Sequence, residues 1–171
     1  MLSKICSPIA AINPSSLPLE ATASPKIFKT LMVDIGIMHQ VCGLKINTDV
    51  FNQDLSNLYN GSMAEQFVGQ ELLAAKQQNA YYWSREAKNS QAEVDYVTTI
   101  GNQIIPIEVK SGSAGRLRSM HLFLETFKNT PYGAVVSTHS YSESKEQNLV
   151  FIPLYYLFSL VKEDLDVSDF L

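Results

Sequence analysis

Three residues near the middle of the chain have types and spacing that could do chemistry together. Asp95 lies in Glu93-Val94-Asp95-Tyr96-Val97, and Glu108 and Lys110 lie in Ile105-Pro106-Ile107-Glu108-Val109-Lys110. Side chains alternate faces along an extended strand. Glu93 and Asp95 then share one face, with Val94 and Tyr96 on the other; Glu108 and Lys110 share a face, opposite Ile107 and Val109. Between the two segments, Gly101-Asn102 suits a two-residue hairpin turn, with Gly where a type II′ turn needs positive φ. Pairing Ile100 with Gln103 sets Asp95 opposite Glu108, and Glu93 opposite Lys110. Directly opposed residues have Cβ atoms roughly 4.5–5.5 Å apart, where two carboxylates repel. A divalent cation removes that repulsion, and hard oxygen ligands suit Mg or Mn. Lys110, beside the ion, could position or help deprotonate a water, or stabilise charge developing on a phosphate. The apolar face of Val94, Tyr96, Ile107 and Val109 would bury and hold the site rigid. Pro106 inside the second strand implies an edge position or a bulge, and a bulge there would shift this register by one.

The surrounding pattern supplies the elements that must position these groups. Residues 1–25 are rich in Pro and Ser and read as an extended lead-in without a fold of its own. Residues 26–33 carry apolar groups on both faces, which predicts a short buried strand. Asp34 suits the N-cap of a short helix over 35–41, with Gly43 at its C′ position. Residues 55–76 form the longest helical pattern, with a kink or break expected near Gly61. Ser62 with Glu65 could be a capping box opening the main helix there. Strands are expected at 81–84, 92–100, 103–110, 133–137 and 149–152, a polar turn at 88–91, a polar loop at 139–148, and helices at 116–128 and 154–161. This order predicts an α/β (α+β) sandwich in which a mixed central sheet is flanked by helices, with a parallel crossover through the 116–128 helix. The domain is expected over 26–162, followed by an acidic tail at 163–171.

A chain of 171 residues suggests one domain with room for a core. With 46% hydrophobic and 18% charged residues, its composition is that of a globular protein. The formal net charge of -4 provides no global basic field to attract nucleic acid. Cys6 and Cys42 are too few for a disulfide scaffold and have no His or Cys neighbours at zinc spacing, so both read as reduced, in keeping with a cytoplasmic location. No apolar run reaches the roughly 20 residues a membrane helix needs. Pro8 interrupts the apolar run after Lys4, which argues against a signal peptide.

An Asp followed, after a hairpin, by Glu-x-Lys resembles the PD-(D/E)xK nuclease superfamily. More closely, the chain resembles the C-terminal domain of unknown function found after an AAA-type ATPase in many prokaryotic proteins. The matching segments run from Lys29 to Gly36, Met63 to Leu72, Tyr82-Trp83-Ser84-Arg85, Glu93-Val94-Asp95, Pro106 to Gly112 and Ile152-Pro153-Leu154, together spanning residues 26–158. Ile107-Glu108-Val109-Lys110-Ser111-Gly112 is the most specific. The resemblance implies a restriction-endonuclease-like fold, metal binding by Asp95 and Glu108, and action of Lys110 on the water or phosphate. It also implies that Glu65, on the helix before the strands, completes the acidic set. Arg85 falls one position from the expected Trp-Arg pair because Ser84 intervenes. No G-x-x-x-x-G-K-[ST] phosphate loop is present, so the chain resembles a C-terminal portion separated from its AAA ATPase domain.

Plainer readings stand beside these. Asp95, Glu108 and Lys110 could be a solvated sheet face, Glu65 a helix-capping residue, and Glu93 a partner that quiets Lys110. Arg85, Lys88, Arg116 and Arg118 could line a phosphate track or be scattered surface charge. Trp83 with Tyr81 and Tyr82 could stack bases or pack the sheet. His39, His121 and His139 show no ligand spacing. Two functions follow as expectations: a metal-dependent nuclease domain hydrolysing DNA, or a catalytically degenerate module that binds or regulates an AAA ATPase partner. Oligomerisation through the lead-in is a third option.

Overall fold

The computed structural model describes residues 5–42, 57–76, 80–87, 90–111 and 117–161. In chain order these form β1 (Cys6–Ala11), β2 (Phe28–Met32), α1 (Ile35–Val41), α2 (Asn57–Lys76), β3 (Tyr81–Ala87), β4 (Ser90–Ile100), β5 (Gln103–Lys110), α3 (Arg118–Thr126), β6 (Gly133–Ser137), β7 (Ser142–Ser144), β8 (Leu149–Pro153) and α4 (Leu157–Val161). The eight strands make one sheet in the order β2-β1-β3-β4-β5-β6-β8-β7. It is mixed: β1/β3, β5/β6 and β6/β8 are parallel, and the other neighbours antiparallel. Helices cover both faces, so the expected mixed α/β architecture is observed. On one side Val68 and Leu72 of α2 and Leu157 and Leu160 of α4 pack on Tyr82, Tyr96, Ile105, Ile107 and Val109. On the other, Met120 and Phe123 of α3 pack on Trp83, Val94, Val97, Ile104 and Val135. No helix among the described residues is long and apolar enough to cross a membrane.

Several expectations are corrected. The lead-in is not unstructured: β1 lies within it and pairs with both β2 and β3. Pro8 is tolerated because β1 touches β3 only at Ala10 and Ala11, so no partner on that side needs an N–H from residue 8. The strand expected to be buried at 26–33 is an edge strand in which only Leu31 is buried. Helix α2 runs unbroken from Asn57 through Gly61 and Ser62, so Ser62 and Glu65 open no helix and form no capping box. The polar loop at 139–148 contains the short edge strand β7. Asp34 does cap α1: its Oδ1 accepts from Ile37 N at 2.9 Å. The C′ position expected at Gly43 and the acidic tail lie outside the described residues.

Helix α2 is fixed to the sheet at the point where it carries Glu65. Met32 N donates to Gln66 Oε1 (3.0 Å) and Gln66 Nε2 donates to Met32 O (2.6 Å), so one buried amide serves as a backbone partner for the edge strand. Gln70 Nε2 donates to Val33 O (2.6 Å). Tyr96 Oη donates to Glu65 O (2.8 Å), tying β4 to the same turn. Gly69 allows this approach, because a Cβ there would run into the Leu31 methyl groups and lie 2.6 Å from Tyr96 Oη. Gly69→Ala is therefore expected to lower stability by about 1–3 kcal/mol, as overpacking does. Urea denaturation checks it, and an unchanged midpoint would mean that α2 is not seated this closely.

Candidate active site

From its turn to Tyr96 the β4–β5 hairpin forms in the expected register, but the ladder ends before the expected pairs Asp95/Glu108 and Glu93/Lys110. Ile100 pairs with Gln103 and the ladder continues to Tyr96↔Ile107. Gly101 has φ +56°, as its turn position requires. Pro106 sits in register opposite Val97 in a central strand, and the bulge anticipated there is absent. A two-residue loop makes Ile100/Gln103 a hydrogen-bonded pair, so alternation places Val97/Pro106 in a non-hydrogen-bonded pair. Pro106 therefore has no N–H to contribute on the β4 side.

The irregularity occurs one strand over. Between β3 and β4, Tyr81 pairs with Val97 but Trp83 pairs with Val94. One residue of β3, Tyr82, thus faces two of β4, Asp95 and Tyr96. Val94 and Val97 consequently both enter the α3-side core, while Tyr96 enters the α2-side core. The expected shared apolar face of Val94 and Tyr96 is thereby corrected, and both faces of the sheet are buried. Bulges re-aim side chains in this way next to functional sites. Asp95 lies at the break. Its Oδ2 accepts from Val109 N at 2.7 Å, taking an N–H that a continued ladder would have given to β4 backbone.

Glu108 and Lys110 alternate with Ile107 and Val109 along β5. Lys110 Nζ donates to Glu108 Oε1 at 2.6 Å. Glu108 is only 8% exposed. Its Oε2 is buried and finds no hydrogen-bond partner among the described residues. Burial, then the negative charge of Asp95, push the Glu108 carboxyl up to about 7, although Lys110 opposes the shift. Burial and Asp95 likewise push Glu65 up to about 7. Asp95 is raised by burial, against the pull of the Val109 N–H, Lys29 and Lys110. Asp95, Glu108, Lys110 and Glu65 are thus brought into one electrostatic unit. Among the described residues, however, no three His, Cys, Asp or Glu side chains stand together closely enough to form a ready-made metal cage. The chemistry of the donors fits a cation in part: two acids on adjacent strands share a field, and one buried carboxylate oxygen lacks a donor.

Sequence reasoning missed Lys29. It reaches from β2 over the ring of Tyr82, with Nζ 4.8 Å from the centroid, and makes an ion pair with Glu93. Its charge also holds down the acids at Glu65 and Asp95. Glu93 therefore pairs with Lys29 and not with Lys110. A lysine in the middle of a strand with no other charged residue was the available signal.

The weaker candidates separate. Arg85, on β3, and Arg118, the first residue of α3, are exposed. Arg85 borders a cavity of about 360 Å³ together with Glu86, Glu93 and Ser119, so two carboxylates offset its charge. Lys88 and Arg116 lie outside the described residues. Tyr81, Tyr82 and Trp83 are buried. Trp83 packs edge-on against Phe123 (5.4 Å) and Phe127 (5.9 Å), which makes these aromatics core and leaves no face for stacking bases.

A family model described as Domain of unknown function (DUF4143) matches residues 60–157, more than half of the chain. The chain belongs to the DUF4143 family. The matched span holds Glu65, Asp95, Glu108 and Lys110, whereas Lys29, β1 and β2 lie before it. No curated protein and no solved structure matches this DUF4143 chain.

Proposed function

We propose that the chain is a metal-dependent nuclease domain of the PD-(D/E)xK superfamily, with a restriction-endonuclease-like fold, that hydrolyses phosphodiester bonds in DNA as the C-terminal portion of an ATPase-linked protein. The supporting observation is Glu108: a buried carboxylate with one oxygen unpartnered among the described residues, lying in the field of Asp95 and paired with Lys110. Asp95 and Glu108 would hold Mg or Mn, with Glu65 as the third acid. A bound ion of this kind supplies Lewis-acid polarisation of the phosphoryl group and acidifies the attacking water. The protein's own contribution is orientation. Val109 N–H fixes the Asp95 carboxylate, and Lys110 fixes Glu108 while carrying positive charge to the place where a phosphate would dock. Expected result: plasmid or single-stranded DNA is nicked with Mg or Mn, and Asp95→Ala and Lys110→Ala each lower the rate by roughly 10²–10³. Activity surviving both substitutions removes the assignment.

A second reading has its own support. The Lys110–Glu108 ion pair occupies one carboxylate oxygen, and the described residues hold no ready three-ligand set. A degenerate nuclease-fold module that binds or regulates an AAA ATPase partner would have this appearance. Calorimetric titration separates the two: no heat with Mg or Mn, together with association with an ATPase, favours the module.

A further inference from the structure

The acids around Glu108 leave a neighbouring cavity unexplained. Helix α3 packs on β4 and β5. On the same side of the sheet, β6, β8 and β7 border a cavity of about 300 Å³ lined by Lys110, Val135, Ser137, His139, Ser142 and Phe151. Val135 and Phe151 stand side by side on β6 and β8 and form its floor, and Ser142, paired with Phe151 from the edge strand β7, stands at its rim. Lys110 and Ser137 are paired at the carboxyl ends of the parallel strands β5 and β6, the end at which open α/β sheets bind ligands. His139 is exposed, and its backbone is held by a bond in which His139 N donates to Ser137 Oγ at 3.1 Å.

The lining is chemically distinctive. It combines an apolar floor containing an aromatic ring with an ammonium, an imidazole and two hydroxyls, that of Ser137 buried and that of Ser142 exposed at the rim, and it contains no carboxylate. A flat apolar-faced group joined to an anion matches that pattern, and a nucleotide is such a group. Lys110 belongs both to this cavity and to the Glu108 ion pair, so a nucleotide held here would be the immediate neighbour of one whose phosphate reaches the acids. A base can lie on the Phe151 ring only when it is unstacked from its neighbours, which selects a single strand. We propose that this cavity is the subsite for the nucleotide flanking the scissile phosphate of single-stranded nucleic acid, with the base on Phe151 and the phosphate met by Lys110, His139 and the serine hydroxyls. The proposal rests on the nuclease reading for the word scissile, but the binding itself can be tested separately.

The probe is a fluorescein-labelled oligothymidylate, followed by anisotropy in EDTA so that no cleavage occurs. His139→Ala and Ser142→Glu alter exposed rim positions, and equal thermal midpoints would show that both variants fold. Each is expected to weaken binding by about tenfold or more, since a stacked base and its phosphate contact contribute at that level. In the native chain, thymidine monophosphate should shift the His139 imidazole signals in NMR spectra. Asp95→Ala should retain the oligonucleotide while losing cleavage. Native affinity unchanged in both rim variants, or no binding by the native chain, overturns the subsite whether or not plasmid is nicked. A native chain that binds through this rim but cuts nothing keeps the subsite and sinks only the catalytic reading.

Discussion

Replacing Glu108 by Gln is expected to lower metal-dependent cleavage by roughly 10²–10³ while making the fold more stable at pH 8. Both effects have the same origin. The carboxyl is desolvated and lies in the field of Asp95, so in the folded chain it loses its proton near 7 and not near the ordinary 4.5. Between those values the native state holds a proton that the unfolded chain has released. Stability therefore falls as pH rises through that range, and the stabilisation present below 4.5 is gone above about 7. Gln has the same shape, keeps an oxygen for Lys110 and carries no charge. A gain of about 1–2 kcal/mol at pH 8, shrinking towards zero at pH 5, is the expected pattern. Urea denaturation at the two pH values measures it. Parallel pH dependences for the native chain and the variant would mean that Glu108 does not titrate in this window. Lost activity with gained stability would mark this acid as retained for chemistry at the expense of the fold.

Divalent cations should restore at neutral pH what the clustered acids take away. An ion that binds only the native state stabilises it by RT ln(1 + [L]/Kd), about 2.7 kcal/mol at a hundredfold excess over Kd. At pH 8, Mn or Mg should raise the thermal midpoint accordingly. At pH 5.5 the gain should be much smaller, because protons already occupy Glu65 and Glu108, both with carboxyls near 7. Asp95→Asn should abolish the gain at either pH. Sodium chloride at matched ionic strength controls for screening. A midpoint indifferent to Mn and Mg at both pH values would mean that Lys110 already satisfies the site, which is the behaviour of the non-catalytic module.

The hairpin was legible because it is local. Gly101-Asn102 marks the turn, alternation from Gln103 to Lys110 marks the strand, and the turn length fixes the register that carries Asp95 towards Glu108. The bulge was not legible. Nothing at Asp95 or Tyr96 announces an additional residue, because the mismatch belongs to the pairing of β4 with β3 and not to either strand alone. Pro106 drew suspicion for a sound reason, but its missing N–H is not one that the pairing with β4 uses. Lys29 escaped notice because its partners Glu93 and Tyr82 come from strands far along the chain. The opening strand was hidden by Pro8, a residue that usually argues against a strand and is harmless here because β1 meets β3 only at its end. Helix α2 offered Gly61, Gly69 and a Ser-x-x-Glu pattern, all of which suggest interruption. Tertiary contacts from Gln66, Gln70 and Tyr96 outweigh those local preferences.

The position of β1 between β2 and β3 has a practical consequence for anyone trimming this chain. A fragment cut to residues 60–157 would keep all four acid and lysine candidates yet strip away two strands and Lys29. The bared margin would be β3, with Tyr81, Tyr82 and Trp83 in succession, an invitation to self-association. Precipitation of such a fragment would report an opened seam and would say nothing about whether the intact molecule cuts DNA.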